Sequence, residues 1–308
     1  MRRFRVMLTA VAVVVLTTCL DAPAARATFP GANGRILFTR YFDGKLFGQL
    51  YAVNPDHGAR VKLTDGRGAT EASWSADGRR IVYVKILATG AGDRWGRDRA
   101  LVVMNADGTG KRRLSDSEAF DPAWSPDGST IVFEKDVDLW LIDADGTHER
   151  RLADTTGREV LPAWSSDGRW IAFSEPGITS SIRAVAPDGS GLHTVVPDHS
   201  ASPAYAGAQD PSWSPDGSQL VFMGGTSEGF EAFRVDADGR NLVVLTSFHL
   251  DVASPAGSPD GTRMAFTGGD FANNRSEIFV MAADGSGIRR ITTTAHGADW
   301  PDWQPLVP

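Results

Sequence analysis

Trp124-Ser125-Pro126-Asp127-Gly128-Ser129-Thr130-Ile131-Val132-Phe133 decides the fold, because the same pattern recurs along the whole 308-residue chain. Copies begin at Trp74 (Trp-Ser-Ala-Asp-Gly), Trp164 (Trp-Ser-Ser-Asp-Gly), Trp213 (Trp-Ser-Pro-Asp-Gly) and Gly257 (Gly-Ser-Pro-Asp-Gly), with a stub at Trp303; the intervals are 50, 40, 49, 44 and 46 residues. In every full copy an apolar pair follows at one offset: Ile81/Tyr83, Ile131/Phe133, Ile171/Phe173, Leu220/Phe222 and Met264/Phe266. That alternation is the signature of a strand with two unlike faces. A second apolar run then ends in an Asp-Gly turn, at Asp107-Gly108, Asp145-Gly146, Asp188-Gly189, Asp238-Gly239 and Asp284-Gly285, with Asn54 to Gly58 as a looser first member. Asp-Gly between alternating apolar runs marks a hairpin, since glycine accepts the positive φ of a tight turn.

Two hairpins per period of 40 to 50 residues give four strands, which is the size of a propeller blade. The fold class is therefore all-β, a six-bladed β-propeller with four antiparallel strands per blade. Asn33-Gly34-Arg35-Ile36-Leu37-Phe38 reads as a second strand with no first strand before it, and Asp299-Trp300-Pro301-Asp302-Trp303 as a first strand with no second after it. The two ends are expected to share one blade and so to remove the open edge of the ring.

The chain opens with Met1-Arg2-Arg3-Phe4-Arg5, an apolar run from Val6 to Leu16, and Ala25-Arg26-Ala27. A basic end, a short apolar run and a small-x-small site read as a secretory signal peptide over residues 1–27, cleaved after Ala27, followed by one propeller domain over 28–308. The run is too short to span a bilayer comfortably, so the mature chain is expected to carry no transmembrane segment. Cys19, the sole cysteine, lies in the segment to be removed, so no disulfide is expected; a lipobox-like Leu16-Thr17-Thr18-Cys19 is the alternative reading. Without the leader the net charge moves from −7 to −10, with 27 basic against 37 acidic residues. That balance disfavours nucleic acid and anionic membrane as partners.

The tryptophans at the head of each copy are read as wedges packed between blades, and Gly257 as a gap filled by a neighbour such as Phe248. The short uniform turns fall on one face of the disc and the connections of varying length on the other, among them Lys85 to Arg99, which carries Arg94 and Trp95, and Ser247 to Ser254, which carries His249. A rigid scaffold with variable loops on one side is a common way to build a binding surface. Three residues before the tryptophan position the copies read Glu71, Asp121, Leu161, Asp210, Ser254 and Trp300. Three carboxylates on the innermost strands would converge on one channel mouth, as a negative socket for a cationic side chain, a peptide amine or a metal ion. Hydrogen bonding of each carboxylate within its own loop is the competing reading. The expected binding set is Glu71, Asp121, Asp210, Trp300, Trp95, Arg94 and His249.

No catalytic residue is assigned. Gly225-Thr226-Ser227-Glu228-Gly229 matches the nucleophile-elbow pattern, but that motif has meaning only between a strand and a helix of an α/β sheet. Asp143-Ala144-Asp145-Gly146-Thr147 lacks the later bidentate glutamate of a calcium loop. The six histidines show no metal-ligand spacing, although His199, His249 and His296 fall on the variable-loop side.

The repeated Trp-Ser-Pro-Asp-Gly, with its Ile-x-Phe strand and Asp-Gly hairpin, resembles the propeller repeat of the TolB family over residues 31–304. The resemblance implies an exported six-bladed propeller, secreted or in the periplasm or cell envelope; in TolB itself the channel mouth binds a peptidoglycan-associated lipoprotein. The propeller begins directly after the leader, leaving no room for the N-terminal α/β domain of that protein. Similar repeats gate prolyl-oligopeptidase-like peptidases, whose catalytic domain is absent here. The expectation is a non-catalytic monomer that binds a protein or peptide without a cofactor. The alternative is a metal-assisted, lactonase-like hydrolase or lyase with a divalent cation in the channel.

Overall fold

Each Trp-Ser-x-Asp-Gly segment folds as the turn its residues dictate. In the first copy the Ser75 hydroxyl donates to Asp77 Oδ1 at 2.5 Å and accepts the Arg80 amide at 2.9 Å, while Asp77 Oδ1 takes the Arg79 amide at 3.0 Å. The same three bonds recur at Ser125/Asp127, Ser165/Asp167, Ser214/Asp216 and Ser258/Asp260. Glycine is required after each of these aspartates, where φ lies between 64° and 73°. The serine and aspartate therefore satisfy the turn's own backbone, and their recurrence is structural.

The computed structural model describes residues 28–42, 48–66, 68–87, 98–115, 118–152, 157–176, 180–197, 206–247, 251–270 and 275–307. Blade 1 holds β1 (Ala32–Tyr41), β2 (Gly48–Val53) and β3 (Arg60–Lys62), and blade 2 holds β4 (Ala69–Trp74), β5 (Arg80–Ile86), β6 (Arg99–Asn105) and β7 (Arg112–Arg113). Blade 3 holds β8 (Phe120–Trp124), β9 (Thr130–Lys135), β10 (Asp138–Asp143) and β11 (Arg150–Arg151); blade 4 holds β12 (Val160–Trp164), β13 (Ile171–Glu175), β14 (Ser181–Val185) and β15 (His193–Val196). Blade 5 holds β16 (Ala206–Trp213), β17 (Gln219–Thr226), β18 (Gly229–Asp236) and β19 (Val243–Val244), and blade 6 holds β20 (Asp251–Gly257), β21 (Arg263–Asp270), β22 (Arg275–Ala282) and β23 (Arg289–Arg290). The last strand, β24 (Ala298–Leu306), returns to blade 1 as its innermost strand, giving the order β24-β1-β2-β3. Ile36 pairs with Trp303 and Leu37 with Asp302, so the two ends close the ring as the sequence indicates. The six sheets are each four-stranded, and the first strand of every blade touches its counterparts in the two neighbouring blades.

The core lies between blades. Trp74, Trp124, Trp164, Trp213 and Trp303 are all buried, and the Trp213 indole donates to the Ala163 carbonyl of the preceding blade at 3.2 Å. Arg80 and Arg263, each from the preceding blade, lie over the rings of Trp124 and Trp303 at 4.5 and 5.2 Å. The outer rim is tied in the same direction. Arg112 donates to the Ala144 and Asp145 carbonyls, Arg150 to Pro187, and Arg289 to Pro55, each on the second hairpin turn of the next blade.

At Gly257 the wedge is absent, and the space where a Cβ would stand lies 3.2 Å from the hydroxyl of Thr28. The expected filler, Phe248, lies outside the described residues. Thr28 Oγ1 also sits 3.2 Å from Ser212 Oγ, and Gly31 N donates to the Pro259 carbonyl. Phe29, 3% exposed, joins the buried cluster that contains Ala123, Trp124 and Trp164. Residues 28–31 thus bond to blades 5 and 6 and add Phe29 to the apolar cluster that blades 2 to 4 share.

Candidate functional site

All six residues three places before the tryptophan position share one backbone conformation. Glu71, Asp121, Leu161, Asp210, Ser254 and Trp300 have φ between 49° and 60°. At each of them the ladder to the second strand of the blade slips, for example between Thr70 and Ser73 and between Phe120 and Ala123. These are β-bulges on the innermost strands, one per blade, and each left-handed residue other than glycine costs on the order of 1–2 kcal/mol. The bulge frees an amide that the neighbouring blade accepts: Asp210 N donates to Ser174 Oγ at 2.9 Å, Trp300 N to Thr267 Oγ1 at 3.2 Å, and Asp121 N to Glu71 Oε2 at 3.1 Å.

The structure brings Glu71, Asp121 and Asp210 into one electrostatic neighbourhood but buries them, at 3%, 4% and 1% exposure. It also supplies a cation from the chain itself. Arg99, at the start of β6 and 4% exposed, donates to Glu71 Oε1 at 2.8 Å and lies 4.2 Å above the Phe120 ring. A fourth carboxyl, Glu134 on β9, joins the group and takes a hydrogen bond from Arg158 at 3.1 Å. Burial, then the charges of Glu71, Glu134 and Asp210, drive the Asp121 carboxyl well above the usual carboxylate range, with Arg99 opposing. Burial likewise pushes Glu134 up to about 7 against the pull of Arg158. Asp121 Oδ1 has no hydrogen-bond partner among the described residues.

The open negative socket expected from the sequence is therefore a buried acidic cluster with one guanidinium already inside it. Trp300 is buried in an edge-on contact with Tyr41 at 5.7 Å. Arg94, Trp95 and His249 lie outside the described residues. Arg99, Glu134 and Arg158 were missed, although a signal existed for Arg99: the matching positions in other blades are Gly48, Val137, Ser180, Phe230 and Ser276, none of them charged. Among the described residues no three His, Cys, Asp or Glu side chains form a group that could hold a metal ion.

Fold and site define a six-bladed propeller whose innermost strands carry buried carboxylates. A profile of the TolB beta propeller domain matches residues 119–306, and the chain belongs to that family. No curated protein matches the sequence. Among solved structures the fold is similar to TolB from Acinetobacter baumannii (TM-score 0.74, 16% identity, 88% of this chain and 67% of that one). It is similar also to a putative TolB from Agrobacterium tumefaciens (0.65, 16%, 85% and 90%). A third likeness is to a chain of a nidogen/laminin complex (0.66, 11%, 88% and 98%).

Proposed function

We propose that this chain is an exported, non-catalytic binding protein that holds a polypeptide partner on the variable-loop face. A basic group of that partner reaches into the channel mouth toward Asp121, Glu134 and Asp210. The observation that carries this reading is the crowding of carboxyls at the channel: among the described residues, Glu71, Asp121, Glu134 and Asp210 neighbour one another, with the buried guanidinium of Arg99 on Glu71 and the half-exposed one of Arg158 on Glu134. Burial and the neighbouring carboxyls favour the protonated form of Asp121, and an incoming ammonium or guanidinium would replace the proton with a charge-assisted hydrogen bond. The leader-like residues 1–27 support export to the envelope or the medium. Similarity to TolB and to a chain of a protein–protein complex supports a polypeptide as the partner.

The test is affinity capture from native envelope and secreted fractions, using residues 28–308 beside an Asp121→Asn/Asp210→Asn variant. Asparagine tolerates the left-handed backbone of both positions, so the variant is expected to keep the fold, which a thermal melt checks. A protein captured by the wild type and lost by the folded variant supports the reading. Equal capture by both refutes the role of the channel. Capture by neither favours a small ligand, to be sought by thermal shift with divalent cations.

A further inference from the structure

A groove of about 250 Å³ opens on blade 6 beside the loop that leads from β23 to β24. Arg275, Glu277, Arg290, Thr293 and Thr294 line it. Its charge arrangement departs from that of blade 3 in an informative way. Arg290 faces Phe279 in the ladder as Arg151 faces Trp140, which makes Glu277 the counterpart of Asp138. In blade 3 these counterparts bond directly, with Arg151 2.8 Å from Asp138 Oδ1. In blade 6 the carboxylate is turned away. Glu277 Oε2 accepts the Thr292 hydroxyl at 2.5 Å, and Oε1 accepts the Thr294 amide and hydroxyl at 2.5 and 3.2 Å. Neither Arg275 nor Arg290 has a side-chain hydrogen bond or ion pair among the described residues.

We propose that this groove binds a carboxylate from outside the chain, held by Arg290 and Arg275 in the place that Asp138 takes on Arg151. The charge balance selects the class of anion. Among the described lining residues, two guanidinium groups with one fixed carboxylate leave a net single positive charge, which suits a monoanion better than a phosphate dianion. The planar fork of arginine matches a carboxylate in two parallel hydrogen bonds. The groove lies on the variable-loop face, so the natural source is an aspartate, glutamate or C-terminus of the bound polypeptide; that attribution rests on the function proposed above, whereas the site does not.

The experiment is an NMR titration of the folded protein with sodium acetate, compared with sodium chloride and inorganic phosphate at matched ionic strength. Acetate is expected to shift the Thr294 and Gly297 amides and the Arg290 side chain saturably, and chloride is not. Arg290→Gln and, separately, Arg275→Gln should each weaken acetate about tenfold, the loss of one charge-assisted contact. Arg151→Gln should leave acetate binding unchanged, because that guanidinium is already occupied. Shifts that follow chloride, or acetate affinity untouched in both folded variants, overturn the site. Tighter phosphate than acetate overturns the carboxylate assignment. Failure of acetate to bind leaves the channel-mouth capture result standing, and failure of that capture leaves the acetate result standing, so the two ideas fall separately.

Discussion

Closure of the ring can be tested at Trp303. This side chain is 3% exposed, lies under the guanidinium of Arg263 at 5.2 Å, and sits on the strand that pairs the end of the chain with its beginning. Truncating a buried tryptophan costs about 3–5 kcal/mol, because lost burial and the remaining cavity add. For a domain of this size each kcal/mol moves the melting temperature by about 2–4 °C, so Trp303→Ala should melt roughly 6–20 °C lower. Deleting residues 298–308 also removes Trp300, 6% exposed, and bares the inner edge of β1. The loss is then roughly 6–10 kcal/mol, comparable with the whole stability of a typical domain at about 5–15 kcal/mol. The deletion is expected to abolish cooperative unfolding, followed by far-UV circular dichroism on heating, whereas trimming from Val307 onward should change little because Val307 is 41% exposed. An unchanged melt after deletion of 298–308 would refute closure by strand pairing.

Further predictions concern pH and packing. Glu134, pushed from 4.5 to about 7, has its relative contribution fully present below pH 4.5 and loses it as pH rises through 7. Glu134→Gln should therefore stabilise the protein at pH 8 by up to roughly 3 kcal/mol, less the lost Arg158 bond, and should not stabilise it at pH 4; equal effects in urea melts at both pH values would sink the argument. Asp260 shows the opposite sign: burial raises it, but hydrogen bonds from Ser258, Thr262 and Asn33 prevail and bring it to about 2. Its stabilisation is present above pH 3.8 and lost as pH falls through 2, so Asp260→Asn should cost about 1 kcal/mol at pH 7, discounted for exposure, and almost nothing at pH 2. Gly257→Trp would restore the repeat yet drive a Cβ to within 3.2 Å of Thr28 Oγ1. A loss of about 1–3 kcal/mol is expected, partly recovered when Thr28→Gly is added, and a stabilised single variant would contradict this packing.

The fold was legible because its signals repeat. Serine and aspartate in every first turn serve the backbone locally, so five copies reported one structure, and the unpaired runs around Ile36 and Trp303 disclosed the shared blade. The site was legible only as a set of positions. Glu71, Asp121 and Asp210 were found by counting back from the tryptophan, but whether they face solvent depends on how closely six strands approach one axis, a tertiary quantity that no local pattern encodes. Arg99 and Glu134 break the repeat rather than obey it, and each gains meaning only when folding sets them beside residues from other strands. Thr28 is similar: Gly257 announced a gap, while its neighbour came from 229 residues away.

The pairing of β1 with β24 also sets an order of events. Ile36 and Trp303 lie far apart in the sequence, so β1 waits for β24, the last strand of the propeller, before its blade is complete. Contacts of such sequence separation must meet their loop-closure entropy before they reward it, which places ring closure late and makes it slow. Until then the inner edge of β1 offers unpaired amides and carbonyls to any passing strand, including β24 of another copy. Dilute refolding should favour the single ring, and crowded refolding the exchanged dimer.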